Sequence, residues 1–263
     1  MGERKNAKRK MEQRPNKNNP FRKLYKGIRM AKAWRNENAT SKSPDNEDSG
    51  VTPEPYLGRT LSELNMVDPS FDGSALPALL RYCIDYVEEY GLGLEGIYRV
   101  SSPKIRLDEL ERETAWRNHP LSYKIPPITD QFQEAHEAAG LLKRILRAFP
   151  DPIIPLELQG LAETCGCRLD CACDTGERMR VALKTLSPDT LELIAAIFVH
   201  AGNVVSNEHR NKMGIPAMTL LLEQNLNSTR RSVCMLLAGQ AAGARSFFPD
   251  YKIIRYFFRI VIG

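Results

Sequence analysis

Three cations are placed as if for one task. Arg99 stands in Glu95-Gly96-Ile97-Tyr98-Arg99-Val100-Ser101, a short apolar turn. Lys143 and Arg147 fall four residues apart in Leu141-Leu142-Lys143-Arg144-Ile145-Leu146-Arg147-Ala148-Phe149-Pro150-Asp151-Pro152. A spacing of four puts two side chains on one face of a helix, and the two prolines end that helix. Ser102-Pro103 reads as a helix start, with a hydroxyl cap and a proline at the first position. A planar guanidinium can reach two oxygens at once, whereas an ammonium is a compact point charge. One arginine on a pinned loop, backed by two more cations, is a site for negative charge.

The elements that must hold these residues are helical. Ser74 to Tyr90 carries Leu76, Leu79, Leu80, Cys83, Ile84 and Val87 on one stripe, with Ser74 as candidate N-cap and Gly91 as stop. Pro103 to Trp116 follows with Ile105, Leu107 and Leu110 inward, and His136 to Phe149 carries the cation pair. Further helices are expected over 154–164, 177–186, from Ser187-Pro188 through Val205, over 216–224 and over 247–262. Residues 118–131, with three prolines and no clear period, read as loop. Strand signals are weak, so the fold expected is an all-α bundle of about eight or nine helices.

No second constellation competes. His119, His136, His200 and His209 show no metal-ligand spacing, and His136 and His200 read as core-edge helix residues. Cys165, Cys167, Cys171 and Cys173 form a C-x-C pattern tighter than ordinary zinc knuckles, so no metal is assigned. There is no Gly-rich phosphate loop, so the chain itself is not expected to hold a nucleotide.

Composition bounds the rest. With 42% apolar and 26% charged residues among 263, the chain has the balance of a soluble globular protein. Its net charge of +5 is unevenly spread: residues 1–35 hold 13 Lys or Arg against 2 Glu, leaving the remainder net acidic. Residues 1–55 read as a disordered basic tail and linker, within which Phe21, Leu24, Tyr25, Ile28 and Ala31 recur at helical spacing among cations. Such a segment can lie on an anionic membrane surface, where each Lys or Arg contributes about 1 kcal/mol. The plainer reading is a solvated basic extension, and nucleic acid ranks below both. The sequence shows no secretory or membrane-length apolar run, and the six cysteines without a signal peptide point to free thiols in a reducing compartment. The expected location is cytoplasmic, or peripheral at the inner face of a membrane.

The two cationic motifs resemble those of the Rho GTPase-activating (Rho GAP) domain family, an E-G-I-[FY]-R-x-S-G loop and an L-L-K-x-[FY]-L-R-x-[LF]-P-[DE]-P helix. Asn211-Lys212-Met213 is similar to the family's N-K-M motif, and the likeness covers residues 57 to 263. Within the family the chain looks most like the Ral-interacting subgroup. The resemblance implies a helical Rho GAP domain over 56–263. It implies that Arg99 is an arginine finger supplied in trans to a Rho-, Rac- or Cdc42-type small GTPase, whose GTP and Mg²⁺ stay with that partner. Lys143 and Arg147 would brace the finger and face the GTPase, with Asn211 and Lys212 on the same surface. Glu95, Gly96, Tyr98 and Ser101 would support the loop, with Ile97 and Val100 anchoring it. The chain would activate its partner rather than hydrolyse GTP itself.

Four departures qualify the likeness. Ser102 replaces the loop glycine, Thr60 an opening proline, Gln224 a later proline, and Ala217 an asparagine four residues after Met213. Losing that amide removes a hydrogen bond to a charged site, worth about 1.5–3 kcal/mol. The alternative is therefore a weakened or inactive module that binds GTP-loaded GTPases as a scaffold.

Overall fold

The computed structural model describes residues 55–70, 74–117, 134–166, 173–241 and 247–248. All lie in one compact unit, Val51–Ile254. The basic tail, the proline-rich 118–131 loop, Cys167, Cys171 and nearly all of the expected last helix fall outside the described residues.

The described residues form ten helices and no strand. These are α1 (Leu61–Val67), α2 (Ala78–Tyr90), α3 (Lys104–Arg117), α4 (Ala135–Arg147), α5 (Leu156–Glu163), α6 (Thr175–Leu183), α7 (Pro188–Ser206), α8 (Glu208–Asn211), α9 (Ile215–Asn225) and α10 (Arg230–Ala241). The all-α expectation holds, with short α1 and α8 and the longer α10 added. Thr60 explains α1. Its hydroxyl accepts from the Glu63 N–H while the Glu63 carboxylate accepts from the Thr60 N–H, a capping box written in the sequence as T-x-x-E. A proline at 60 would lack both the accepting hydroxyl and the donating N–H.

Helix α2 starts later than its sequence suggests. Pro77, not Ser74, is the N-cap, and it brings no side-chain bond. Asp68 serves instead from the end of α1, its carboxylate accepting from Leu79 N at 2.7 Å and from the Tyr56 hydroxyl at 3.0 Å. An acidic group at a helix N-terminus complements the dipole there. Ser102 likewise does not cap α3: the Leu107 N–H bonds to the Pro103 carbonyl, and the buried Ser102 hydroxyl finds no partner among the described residues. Ser187 does cap α7 as expected, accepting from Thr190 N with Pro188 in the first turn.

Helix α4 runs through the middle, packed along α2 and touched by α3 and α9. Its stripe of Ala138, Ala139, Leu141, Leu142, Ile145 and Leu146 is buried against Leu79, Cys83 and Ile84 of α2, among others. Leu107 and Leu110 of α3 also point inward, but Ile105 is exposed. Helix α7 carries an apolar window of mean hydropathy 1.2, enough by length and composition to cross a membrane, contrary to expectation. Here 61% of that window is buried inside the protein, so its apolar character is that of a core helix. Val233, Leu236 and Leu237 of α10 close the core over α5, α7 and α9.

Candidate functional site

The loop from Gly91 to Ser101 is built to fix one peptide group. Ile97 and Tyr98 are buried, while Arg99 and Val100 are exposed, so Val100 does not anchor the loop. Gly96 and Tyr98 both have left-handed backbones, with φ of 73° and 68°. Glycine adopts this at no cost; for a tyrosine it costs roughly 1–2 kcal/mol and must be held by its surroundings. The peptide joining Tyr98 to Arg99 is bound on both sides. The Arg99 N–H donates to the Gly96 carbonyl at 2.9 Å, and the Lys143 ammonium donates to the Tyr98 carbonyl at 2.7 Å. Val100 N–H also bonds the Gly96 carbonyl, at 2.8 Å.

The side chain that follows is free. Among the described residues the Arg99 side chain makes no hydrogen bond or ion pair, and its guanidinium lies over Gly96, 3.7 Å from where a Cβ would be. The other cations are occupied. Lys143 is half-buried beneath the loop, and burial, followed by the nearby Arg147 charge, holds its ammonium below the ordinary lysine value of 10.5. Arg147 is exposed and donates to the Asn225 side-chain oxygen at 2.9 Å, while Asn225 donates to the Leu221 carbonyl at 2.6 Å. Arg144, between them in sequence, turns the other way to pair with Asp108 at 2.7 Å and with Glu111 on α3.

Asn211 corrects an expectation. It is wholly buried, so its side chain does not belong to a partner-facing surface. It donates to the carbonyls of Leu92 at 2.9 Å and Val204 at 2.8 Å, and accepts from Met213 N at 2.8 Å. Its backbone carbonyl receives the Gly96 N–H at 2.8 Å, so the N-K-M segment buttresses the arginine loop from behind. Lys212 is exposed, with φ of 60°, and its ammonium caps the His209 carbonyl at 3.0 Å. Glu95 and Ser101 are exposed and make no side-chain hydrogen bond among the described residues, so neither pins the loop as expected. Gly96 and Tyr98 do.

Residues that sequence reading passed over complete the site: Asn225 behind Arg147, and His200 and Glu88 behind Tyr98. The Tyr98 hydroxyl meets His200 Nε2 at 2.5 Å, and His200 Nδ1 meets Glu88 Oε1 at 3.1 Å. Nothing local could have flagged them, because their partners lie 78, 102 and 112 residues away. Among the described residues no three His, Cys, Asp or Glu side chains converge to hold a metal ion. Among the described residues the arrangement therefore offers an unpaired Arg99 guanidinium on a pinned backbone, with Lys143 beneath the loop and Arg147 near Lys143.

The sequence pattern defining the RhoGAP domain matches residues 77–231, more than half of the chain. The chain belongs to the RhoGAP domain family. RalA-binding protein 1-A of Xenopus laevis is 30% identical over 181 residues, which cover 67% of this chain and 26% of that protein. Rho-type GTPase-activating protein 2 of Saccharomyces cerevisiae is 26% identical over 181 residues, 60% of this chain and 18% of that one. The chain thus spans about a quarter or less of the length of these relatives. The crystal structure of human Rho GTPase activating protein 15 superposes with a TM-score of 0.56 at 20% identity, covering 83% of this chain and 99% of that one. That likeness is one of fold. The arginine loop, α4 and the N-K-M segment all fall inside the matched RhoGAP residues.

Proposed function

We propose that this RhoGAP domain stimulates GTP hydrolysis by a Rho-family small GTPase, donating Arg99 in trans. The observation that carries the reading is the contrast at the loop: its backbone is tied down by Gly96, Asn211 and Lys143, while the Arg99 guanidinium has no partner among the described residues. Fixing the backbone in advance lowers the ordering cost of presenting the side chain. A guanidinium aimed at developing charge on the γ-phosphoryl group is worth about 10³–10⁵ in rate, or roughly 4–7 kcal/mol of barrier. Nucleotide and Mg²⁺ remain with the partner, so this chain needs no cofactor. Lys143 supports the finger through Tyr98, and Arg147 and Lys212 offer exposed charge to the partner. The basic tail adds attraction to an anionic membrane surface.

Ala217 favours a second reading. It sits partly buried on α9, packed against the core, and supplies no polar group where the family resemblance leads one to expect an amide. A binding-only module would follow. Single-turnover GTP hydrolysis by Rho-, Rac- and Cdc42-type GTPases, with and without the chain, separates the two. The activator reading requires acceleration that Arg99→Ala removes while binding to the GTP-analogue-loaded GTPase persists. Binding with no acceleration by the unaltered chain overturns it in favour of the scaffold.

A further inference from the structure

The buried relay Glu88–His200–Tyr98 has no place in the activity so far described. We infer that His200, oriented by Glu88, is a positioning residue for Arg99: it holds the Tyr98 hydroxyl and so keeps the loop in the left-handed turn that presents the finger. The inference rests on the activator reading for its kinetic consequence, but not for its structural one.

The chain of contacts fixes its own polarity. A carboxylate only accepts, so Nδ1 of His200 carries the proton it gives to Glu88 at 3.1 Å. Nε2 then offers its lone pair, and the Tyr98 hydroxyl donates to it at 2.5 Å. Burial, with Cys83 and Glu88 nearby, pushes the Tyr98 phenol well above its ordinary value, so it stays a donor. Asn203 donates to the same Glu88 oxygen at 3.0 Å and holds the carboxylate in line. Glu88 belongs to α2, and His200 and Asn203 to successive turns of α7, so the relay is anchored in two core helices. An anchored carboxylate behind a histidine fixes both tautomer and ring orientation.

Packing alone does not explain the geometry. A cavity of about 20 Å³ lies against Tyr98, His200, Lys143 and Asn225, room for about one water. Packing around Tyr98 is thus incomplete, and apolar contact does not by itself enforce a φ of 68° at a bulky residue. Two polar tethers can: Lys143 on the carbonyl and His200 on the hydroxyl. They grip opposite ends of the residue immediately before Arg99.

The test uses the full chain with Tyr98→Phe, His200→Leu, His200→Gln and the Tyr98→Phe/His200→Leu double variant. Tyr98→Phe keeps the ring and stays informative should His200→Leu fail to fold. Two readouts are taken: the maximal single-turnover rate with its half-saturating concentration, and hydrogen exchange at the Arg99 and Val100 amides. Tyr98→Phe and His200→Leu should each lower the maximal rate about tenfold, leave half-saturation unchanged, and speed exchange about tenfold. The double variant should be no worse than either single, and His200→Gln, whose amide can both accept from Tyr98 and donate to Glu88, should restore the rate. Overturning results are unchanged exchange in Tyr98→Phe, additive losses, or a His200→Gln as impaired as His200→Leu. If the unaltered chain accelerates no GTPase, the activator reading falls, and the exchange arm still decides whether His200 positions the loop.

Discussion

Replacing Lys143 by methionine isolates the tether beneath the finger. Methionine keeps most of the apolar stem and removes only the ammonium that donates to the Tyr98 carbonyl at 2.7 Å. A hydrogen bond from a charged group contributes about 1.5–3 kcal/mol, and the left-handed Tyr98 loses one of the restraints opposing its roughly 1–2 kcal/mol of strain. If that free energy is drawn from the loop conformation that presents Arg99, the rate of GTP hydrolysis falls by about 10- to 150-fold. The fall should be smaller than for Arg99→Ala, because the guanidinium itself remains. Rapid-mixing hydrolysis with a phosphate sensor, at saturating chain, reads the maximal rate directly. A Lys143→Met chain that stays within about twofold of the original rate, while still folded, would show that the carbonyl tether is dispensable, against the magnitude expected of such a bond.

The same lysine gives a pH signature. Its folded pKa is depressed by burial and by Arg147, so between that value and 10.5 the unfolded chain holds more protons than the folded one. Stability should therefore rise with pH across that window in the original chain relative to Lys143→Met, and a difference in urea-unfolding free energy that stays flat contradicts it. Gly96→Ala puts a Cβ at φ of 73°, with Val100 Cγ2 only 2.8 Å away. It should cost about 1–2 kcal/mol by thermal unfolding and slow hydrolysis more than it weakens binding. Asn211→Ala strips three hydrogen bonds from a fully buried site. Unfolding free energy should drop by about 2–4 kcal/mol while the folded fraction binds its GTPase with unchanged affinity; a selective affinity loss would put Asn211 at the interface after all.

The helices that carry the site could be read from periodicity because their stripes are strong. The apolar faces of α2 and α4, and the Ser187-Pro188 start of α7, appear in the structure within a few residues of expectation. The T-x-x-E signal of α1 is equally legible, although Thr60 stands where the family likeness leads one to expect a proline. Helix α10 is harder to see, since Val233 to Ala238 is one short continuous apolar run with no helical alternation to read. At the site, residue type located Arg99, Lys143 and Arg147, but roles depended on what each touches. Asn211 moved from surface to interior, and Glu95 and Ser101 proved to be solvent-facing. His200, Glu88 and Asn225 act across distant segments, and no local pattern encodes such pairings.

Arg99 alone decides the central claim. Single-turnover hydrolysis of GTP bound to a Rho-family GTPase should accelerate with the original chain and fall back by about 10³-fold or more with Arg99→Ala, with the complex still forming on a GTP analogue. Acceleration that survives the loss of that guanidinium would contradict the account.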